Sequence, residues 1–390
     1  MIRSHKIRLD PTVKQSTYFS KACGVARFTW NWALARYQEK YKNGEKPNAL
    51  KLKKEFNSMK KEHFPWVYEV TKYASQQPFI FLRSAFSAFF SKNAKYPKFK
   101  KKGVHDSFYI GGDQVKVQGK RIKIPNLGWV RMREELRFSG KIQSATISKV
   151  ADFWFVSISV ETKDLPLPCK SQAIVGVDLG VKALATLSTG EKISGVKSLQ
   201  SHLSKLKRWQ RRLSRRVKGS KNAQKLKLKI AKLHYRISCI RKDTLHKVTT
   251  YLTETFQSLV IENLDISKML SNKSLARHIS DMGFFEFKRQ LCYKAMLRGN
   301  TIFIADKWFP SSKTCSHCGY VKQELKLSER VFYCDQCHYQ SDRDHNAAKC
   351  LEKLCTVSST GTDACGQDGS VVTLKYEQQP AWQKQELSPV

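Results

Sequence analysis

Two cysteine pairs constrain this chain more than any other feature. Cys315 and Cys318 stand in "CSHCGY", Cys334 and Cys337 in "CDQCHY", and the stretch between them, 319–333, is fifteen residues long. Each Cys-x-x-Cys turn presents two thiolates, and two such turns at this spacing complete a tetrahedral four-sulfur shell with Zn–S bonds of ~2.3 Å. Such a shell leaves no open position for water, so the zinc ribbon has a structural role and any chemistry must lie elsewhere. His317, His338 and His345 are close in sequence, but using one as a ligand would leave a thiolate idle. The eleven cysteines are odd in number, and four at metal-binding spacing fit a reducing compartment better than a disulfide framework.

Charge narrows the partner. The 390 residues include 71 Lys and Arg against 32 Asp and Glu, a formal charge of +39. A polyanion relieves self-repulsion of that size, and nucleic acid is the first candidate. Basic membrane-surface proteins usually gather their charge in one amphipathic helix or tail. Here it is spread over the first 355 residues, whereas 356–390 hold two Lys, two Asp and two Glu. No stretch is long and apolar enough to span a bilayer, and "MIRSHKIRLDPTVKQ" has no apolar signal core, so a cytoplasmic protein without a membrane partner is expected.

Patterning divides the chain. The alternation in "IRSHKIRL" predicts a strand, and the segments "YFSKACGVARFTWNWALARYQEKY" and "FPWVYEVTKYASQQPFIFLRSAFSAFF" predict helices, the second continuing through Pro78. The lysine-rich "KYPKFKKK" follows. Short alternating runs from Val115 to Thr162 predict a small antiparallel β domain, which the first strand is expected to join, the helices being an insertion. After the linker "DLPLPCKSQ", "AIVGVDLG" reads as an apolar strand ending near Asp178, "ALATLSTGEKI" as a second strand with a hairpin turn, "SLVIENLD" as a buried strand ending in Glu262, and "NTIFIAD" as a further strand. Residues 199–247 read as a helical hairpin turning at "KGSKN", with Leu and Ile recurring at helical spacing and seventeen Lys and Arg against one Asp on the other faces. Another helix is expected before "SLVIENLD". That near-absence of acids suits a phosphate-facing surface, with Arg211, Arg212, Arg215 and Arg216 as candidate contacts.

Three acids stand out. Asp178 and Glu262 end strands, and Asp344 opens the small-residue helix of "DRDHNAAKC". In mixed α/β folds the carboxyl ends of strands gather at one sheet edge, where ligands bind. Three carboxylates brought together there repel unless they bind divalent cations. Oxygen-only ligation suits Mg²⁺, and two ions ~4 Å apart would serve phosphodiester hydrolysis. The order strand Asp, strand Glu, helix Asp is the plan of a ribonuclease H-like nuclease.

"GVDLG", "VIENLD", "FPSSKTCSHCGY" and "DRDHNAA", in that order and with a basic hairpin between the first two, resemble the TnpB (OrfB) family of insertion-sequence proteins, relatives of type V CRISPR effectors. The resemblance runs from the N-terminus to about residue 355. It implies an α/β multidomain chain: a RuvC / ribonuclease H-like domain over 171–310 and 339–356, bearing the hairpin 199–247, with a zinc ribbon inserted at 311–338. A β-barrel-like wedge domain over 1–17 and 103–165 would carry a helical recognition insertion at 18–102, leaving a disordered tail at 357–390. By family, Asp178, Glu262 and Asp344 match the catalytic RuvC carboxylates holding Mg²⁺, with Mn²⁺ as a substitute, while Asp342 and Asp306 are decoys. The family implies an RNA-guided DNA endonuclease, nucleoid-associated and monomeric in its ribonucleoprotein, with an element-derived guide RNA and target double-stranded DNA as partners. Lys72, Tyr73 and Gln76 in "VTKYASQQ" are candidates for reading a transposon-adjacent motif in that DNA.

Two departures from the family pattern are His338, where Gly is usual after the last cysteine, and Cys350, where Asn is frequent. The rival functions are a catalytically silent RNA-guided repressor, which would normally lack one of the acids, a transposase acting directly on DNA ends, and a zinc-ribbon transcription factor. The transposase lacks its paired-His motif here, and the transcription factor leaves the three acids unexplained.

Overall fold

The alternation in the first strand, β1 (Ile2–Leu9), buries His5, Ile7 and Leu9 on one face and leaves Ser4 and Lys6 on the other. The computed structural model describes residues 1–164, 166–169, 171–326, 328–360 and 371–374, with backbone alone for 356–360 and 371–374. It divides into two units, Met1–Asp164 and Leu165–Val390.

In the first unit β1 is followed by α1 (Val13–Lys42), α2 (Ala49–His63), a 3₁₀ turn at Pro65–Glu69 and α3 (Lys72–Phe90). Thr12 and Gln15 start α1 with a reciprocal capping box. The second helical segment is therefore not continuous: it breaks at 70–71 and then carries Pro78 within α3. Then come β2 (Ser107–Gly111), β3 (Lys116–Gln118), β4 (Arg121–Ile124), β5 (Gly128–Arg131), β6 (Lys141–Val150) and β7 (Phe153–Glu161). One sheet has the order β1-β7-β6-β2 and a second β3-β4-β5, so the first strand pairs with the last of the unit, Ile2 opposite Glu161 and Leu9 opposite Trp154. Helices and strands share one core: Phe19 of α1 meets Phe108 and Trp154 at ring-centroid distances of 6.0 and 5.1 Å.

The second unit is built on a six-stranded sheet. Its elements are β8 (Ile174–Asp178), β9 (Ala185–Leu187), β10 (Lys192–Ile193), α4 (Ser198–Ser214), α5 (Lys221–Thr255), β11 (Ser258–Ile261), α6 (Ile266–Ser271), α7 (Ala276–Met282), α8 (Phe284–Arg298), β12 (Thr301–Ala305), β13 (Val331–Tyr333), β14 (Gln340–Asp342), α9 (Arg343–Thr360) and β15 (Val371–Leu374). The sheet order is β10-β9-β8-β11-β12-β15; β8, β11 and β12 are mutually parallel, and β9 and β15 run antiparallel to their neighbours. Val175, Val177, Leu259, Ile261, Ile302 and Ile304 bury against Leu245, Leu252, Phe287 and Leu291 of α5 and α8.

Three details differ from the expectation. The second hairpin helix does not stop near residue 247 but runs unbroken to Thr255, since no Gly or Pro interrupts it. β14 pairs with β13, so the ribbon's hairpin extends past 338 to the start of α9. Within the tail expected to be disordered, α9 continues to Thr360 and 371–374 forms a strand on β12, because "VVTL" sets three β-branched residues and a leucine inside a polar composition. The rest of that tail lies outside the described residues.

Candidate active site and metal centre

Strand register brings the first two acids together. Val177 of β8 pairs with Ile261 of the parallel β11, so Asp178 and Glu262 occupy the next positions of neighbouring strands, ~4.8 Å apart across the sheet. Asp178 is 9% exposed. Burial, and then the charges of Glu262 and Asp344, push its carboxyl well above the usual carboxylate range. Glu262 is raised too, by burial and by Asp344, although Ser311, itself buried, donates a short hydrogen bond to Glu262 Oε1.

The structure separates the two aspartates of "DRD". Asp342 Oδ1 accepts from the backbone N–H of Asp344 and His345 at 3.1 and 3.2 Å, capping α9, while its other oxygen meets Lys192 Nζ at 2.7 Å. Asp344, in the first turn, acts on both Asp178 and Glu262, whereas Asp342 acts on Asp178 alone and more weakly; Arg343 Nη2 lies 3.5 Å from Asp344 Oδ1. Asp306 accepts from Trp308 N at 2.8 Å and so closes a turn.

What positions α9 is a close backbone approach. A Cβ on Gly176 would lie 1.9 Å from the Ala348 carbonyl oxygen and 2.7 Å from Glu352 N, so only glycine lets α9 lie directly on β8, two residues before Asp178. Ala347 and Ala348 are buried on the same helix. Asn346, fully buried, then ties α9 to the ribbon: its Oδ1 accepts from Ser316 N at 2.9 Å and its Nδ2 donates to Thr314 O at 2.7 Å. Cys350, the second departure from the family pattern, donates to the same Thr314 oxygen at 3.2 Å. Gly176, Ser311 and Asn346 thus serve the site, and sequence reasoning had given none of them a role. "GVDLG", "FPSS" and "HNAA" contained them, but spacing alone does not reveal which carbonyl a residue will meet.

The sulfurs of Cys315, Cys318, Cys334 and Cys337 all lie within 4.8 Å of one another. The pairs Cys315–Cys337 and Cys318–Cys334 are 3.7 and 3.6 Å apart, close to the ~3.8 Å edge of a tetrahedron with 2.3 Å Zn–S bonds. Backbone N–H groups of His317 and Cys337 point at Cys315 and Cys334 sulfurs at 3.4 and 3.5 Å. This donor set and geometry fit zinc. Among the described residues only these four side chains gather so tightly; the three acids are coupled electrostatically without closing to that degree. After the second cysteine of each knuckle the chain turns left-handed, at Gly319 (φ 81°) and at His338 (φ 58°). That explains why glycine is usual there. Here Tyr333 OH lies 2.6 Å from His338 Nδ1 and holds the ring.

The candidate nucleic-acid contacts are placed as follows. Arg211 and Arg212 lie near the end of α4, Arg215 and Arg216 in the turn after it, and all four are exposed. Lys72, Tyr73 and Gln76 sit on the first turns of α3. Tyr73 OH donates to Asp113 Oδ1 at 2.6 Å, a bond that pushes the phenol up to about 12, and Lys72 Nζ is 3.5 Å from Asp113 Oδ2. Two of the three candidates are thus engaged by an acceptor that sequence reasoning had not included.

Fold and site together define an α/β protein with a four-cysteine ribbon whose geometry fits zinc and an acidic site at the carboxyl edge of its sheet. Residues 157–273 match a family model described as "Probable transposase", residues 284–351 one described as "Cas12f1-like, TNB domain", and residues 1–46 one described as "Helix-turn-helix domain". In the structure that last stretch is one strand and one long helix. "Putative RNA-guided DNA endonuclease InsQ" of Escherichia coli K12 is 34% identical over 89% of this chain and 91% of its own length. A protein of Streptomyces pristinaespiralis with the same functional description is 34% identical over 93% and 91%. The chain belongs to the TnpB (OrfB) family of insertion-sequence proteins, related to the type V effectors. Its fold resembles the protein in a Cas12f1–sgRNA–target DNA complex, with a TM-score of 0.54 over 87% of this chain and 83% of that one at 15% identity.

Proposed function

We propose that this protein is an RNA-guided DNA endonuclease in which Asp178, Glu262 and Asp344 form a RuvC-type hydrolytic site. The observation that carries the reading is the convergence of two strand-end acids, Asp178 and Glu262, with one helix-start acid, Asp344: burial and the Asp344 charge raise the proton affinities of the first two. Carboxylates held in this way repel when ionised, and hard divalent cations relieve them, so the donor set fits Mg²⁺. When bound, two such ions supply an activated water and stabilise the leaving oxygen of a phosphodiester.

The chain's own residues orient this site. β8 and β11 fix Asp178 and Glu262 in register, Ser311 holds one Glu262 oxygen, and the zinc ribbon, through Asn346, holds the helix that carries Asp344. The zinc knuckles therefore serve catalysis by positioning. In this reading the guide RNA and the DNA backbone meet the basic faces, including Arg211, Arg212, Arg215 and Arg216, and base pairing supplies sequence selection. Lys72, Tyr73 and Gln76 read a short adjacent motif once Lys72 and Tyr73 exchange Asp113 for DNA. The names of the relatives and the fold of the guide-bound complex support this assignment.

The test is to purify the protein from cells carrying its native flanking DNA, sequence the bound RNA, and incubate the complex with Mg²⁺ and a matched target flanked by randomised sequence. Guide-dependent cutting that disappears in Asp178→Ala, with RNA and target binding retained, is expected. Binding without cutting in the wild type would favour a repressor, and absence of bound RNA would overturn the reading.

A further inference from the structure

We propose that Trp308 is a stacking platform for one nucleobase of the DNA strand entering the carboxylate site. The proposal rests on the nuclease reading above and concerns a residue which that reading leaves without a role.

Ile261 of β11 pairs with Ile304 of β12, so Glu262 stands beside Ala305, the last residue of its strand. The chain continues as Asp306, Lys307 and Trp308, then returns to Glu262 through the Ser311 hydroxyl. Trp308 therefore lies in a short loop at the same sheet edge as Asp178 and Glu262. The loop is held at several points. Asp306 Oδ1 accepts from Trp308 N at 2.8 Å, Phe309 N donates to Asp306 O at 3.2 Å, and Ser311 N donates to Phe309 O at 2.9 Å. Lys307 Nζ meets Asp265 Oδ2 at 2.8 Å and so joins this loop to the one leaving β11.

Within this braced loop the two aromatic neighbours have opposite fates. Phe309 packs against the core beneath α9, among Val260, Ala305 and Leu351. Trp308 is 79% exposed, the most exposed aromatic side chain among the described residues. A large indole kept in water on a constrained backbone gains from any flat apolar partner that arrives, and loses little conformational freedom in receiving it. At the edge of a phosphodiester-cutting site that partner is a nucleobase. Stacking tolerates every base, which suits an enzyme whose sequence selection lies in a guide. The Lys307 charge, 5.6 Å from the ring centroid, is matched by Asp265, so the recognition is by the face of the ring rather than by phosphate attraction.

The experiment is a cycle between protein and substrate. Single-turnover cutting of guide-matched DNA is measured for wild type, Trp308→Ala and Trp308→Phe, with one abasic nucleotide moved stepwise across the cut. Wild type should slow about tenfold at one abasic position, the scale of losing one base–aromatic stack. Trp308→Ala should be about tenfold slower on intact DNA and show no further loss at that position, while Trp308→Phe recovers most of the rate. Losses that multiply, an unchanged rate in Trp308→Ala, or weakened guide-RNA binding in that variant would overturn the stacking role alone. A wild type that does not cut intact matched DNA would overturn the nuclease reading, and the stacking role with it.

Discussion

Asp178 is held nine-tenths out of water beside two other acids, and this has a thermodynamic consequence. A carboxyl raised in the folded protein keeps a proton that the unfolded chain releases. The contribution of this carboxyl to metal-free stability is therefore full below the ordinary carboxylate range and is lost as pH climbs toward the raised value. Asp178→Asn removes the charge and should raise the metal-free melting temperature at neutral pH, by about 2–4 °C if the relief is ~1 kcal/mol. It should also abolish most of the melting-temperature rise that Mg²⁺ gives the wild type. A difference in melting temperature between Asp178→Asn and wild type that does not grow from the acid range to neutrality would contradict this. His338 offers a separate test. It adopts a left-handed conformation that costs an L-residue about 1–2 kcal/mol relative to glycine, partly offset by the Tyr333 contact. His338→Gly should slow zinc loss to a chelator and raise the stability of the ribbon by up to about 1 kcal/mol, both readable from zinc release during denaturant unfolding.

At the scale of elements the construction is a strand, a helix and a four-cysteine ribbon fastened in series. Gly176 lets α9 touch β8, and Asn346 fastens α9 to the first zinc knuckle. Gly176→Ala would press a methyl onto backbone that cannot move aside, a change expected to cost about 1–3 kcal/mol and to reduce cutting far more than RNA binding. Asn346→Ala would strand the buried Ser316 N–H at about 1–3 kcal/mol, while the Thr314 carbonyl keeps its bond from Cys350. Its zinc content should stay at one per chain while cutting falls; a loss of zinc in parallel would mean that Asn346 supports the knuckle rather than the link. The acids at strand ends and the cysteine pairs were legible beforehand because their signals are local: an apolar run that stops at a carboxylate, or a fixed cysteine spacing. The partners of Gly176 and Asn346 were not. The first contact joins residues 176 and 348, and no periodicity records which backbone atoms will meet across such a separation. The strand at 371–374 escaped for another reason, since averaging composition over a polar tail concealed four residues of β-forming sequence.

At the scale of the whole molecule, the net charge of +39 sets how the protein must be handled and favours a polyanionic partner. Removing bound nucleic acid should lower its melting temperature, because the self-repulsion is then uncompensated, and should promote adsorption to anionic surfaces, because the positive charge is then free. The hairpin illustrates why charge was readable while its target was not. Leu206, Leu233 and Ile237 close α4 onto α5 as helical spacing predicts, and the remaining faces are left to cations. Lys and Arg alone do not distinguish an RNA phosphate from a DNA phosphate, but the salt dependence of binding counts them. Each phosphate neutralised on single-stranded RNA contributes about −0.7 to the slope of log affinity against log salt, and on duplex about −0.9. If Arg211, Arg212, Arg215 and Arg216 each hold one phosphate, changing all four to Gln should flatten the guide-RNA slope by roughly 3 and weaken binding most at low salt. Cutting with pre-assembled complexes should suffer less than assembly itself. A variant with the wild-type slope would place these four arginines in solvent and leave the grip on the guide to the other basic segments.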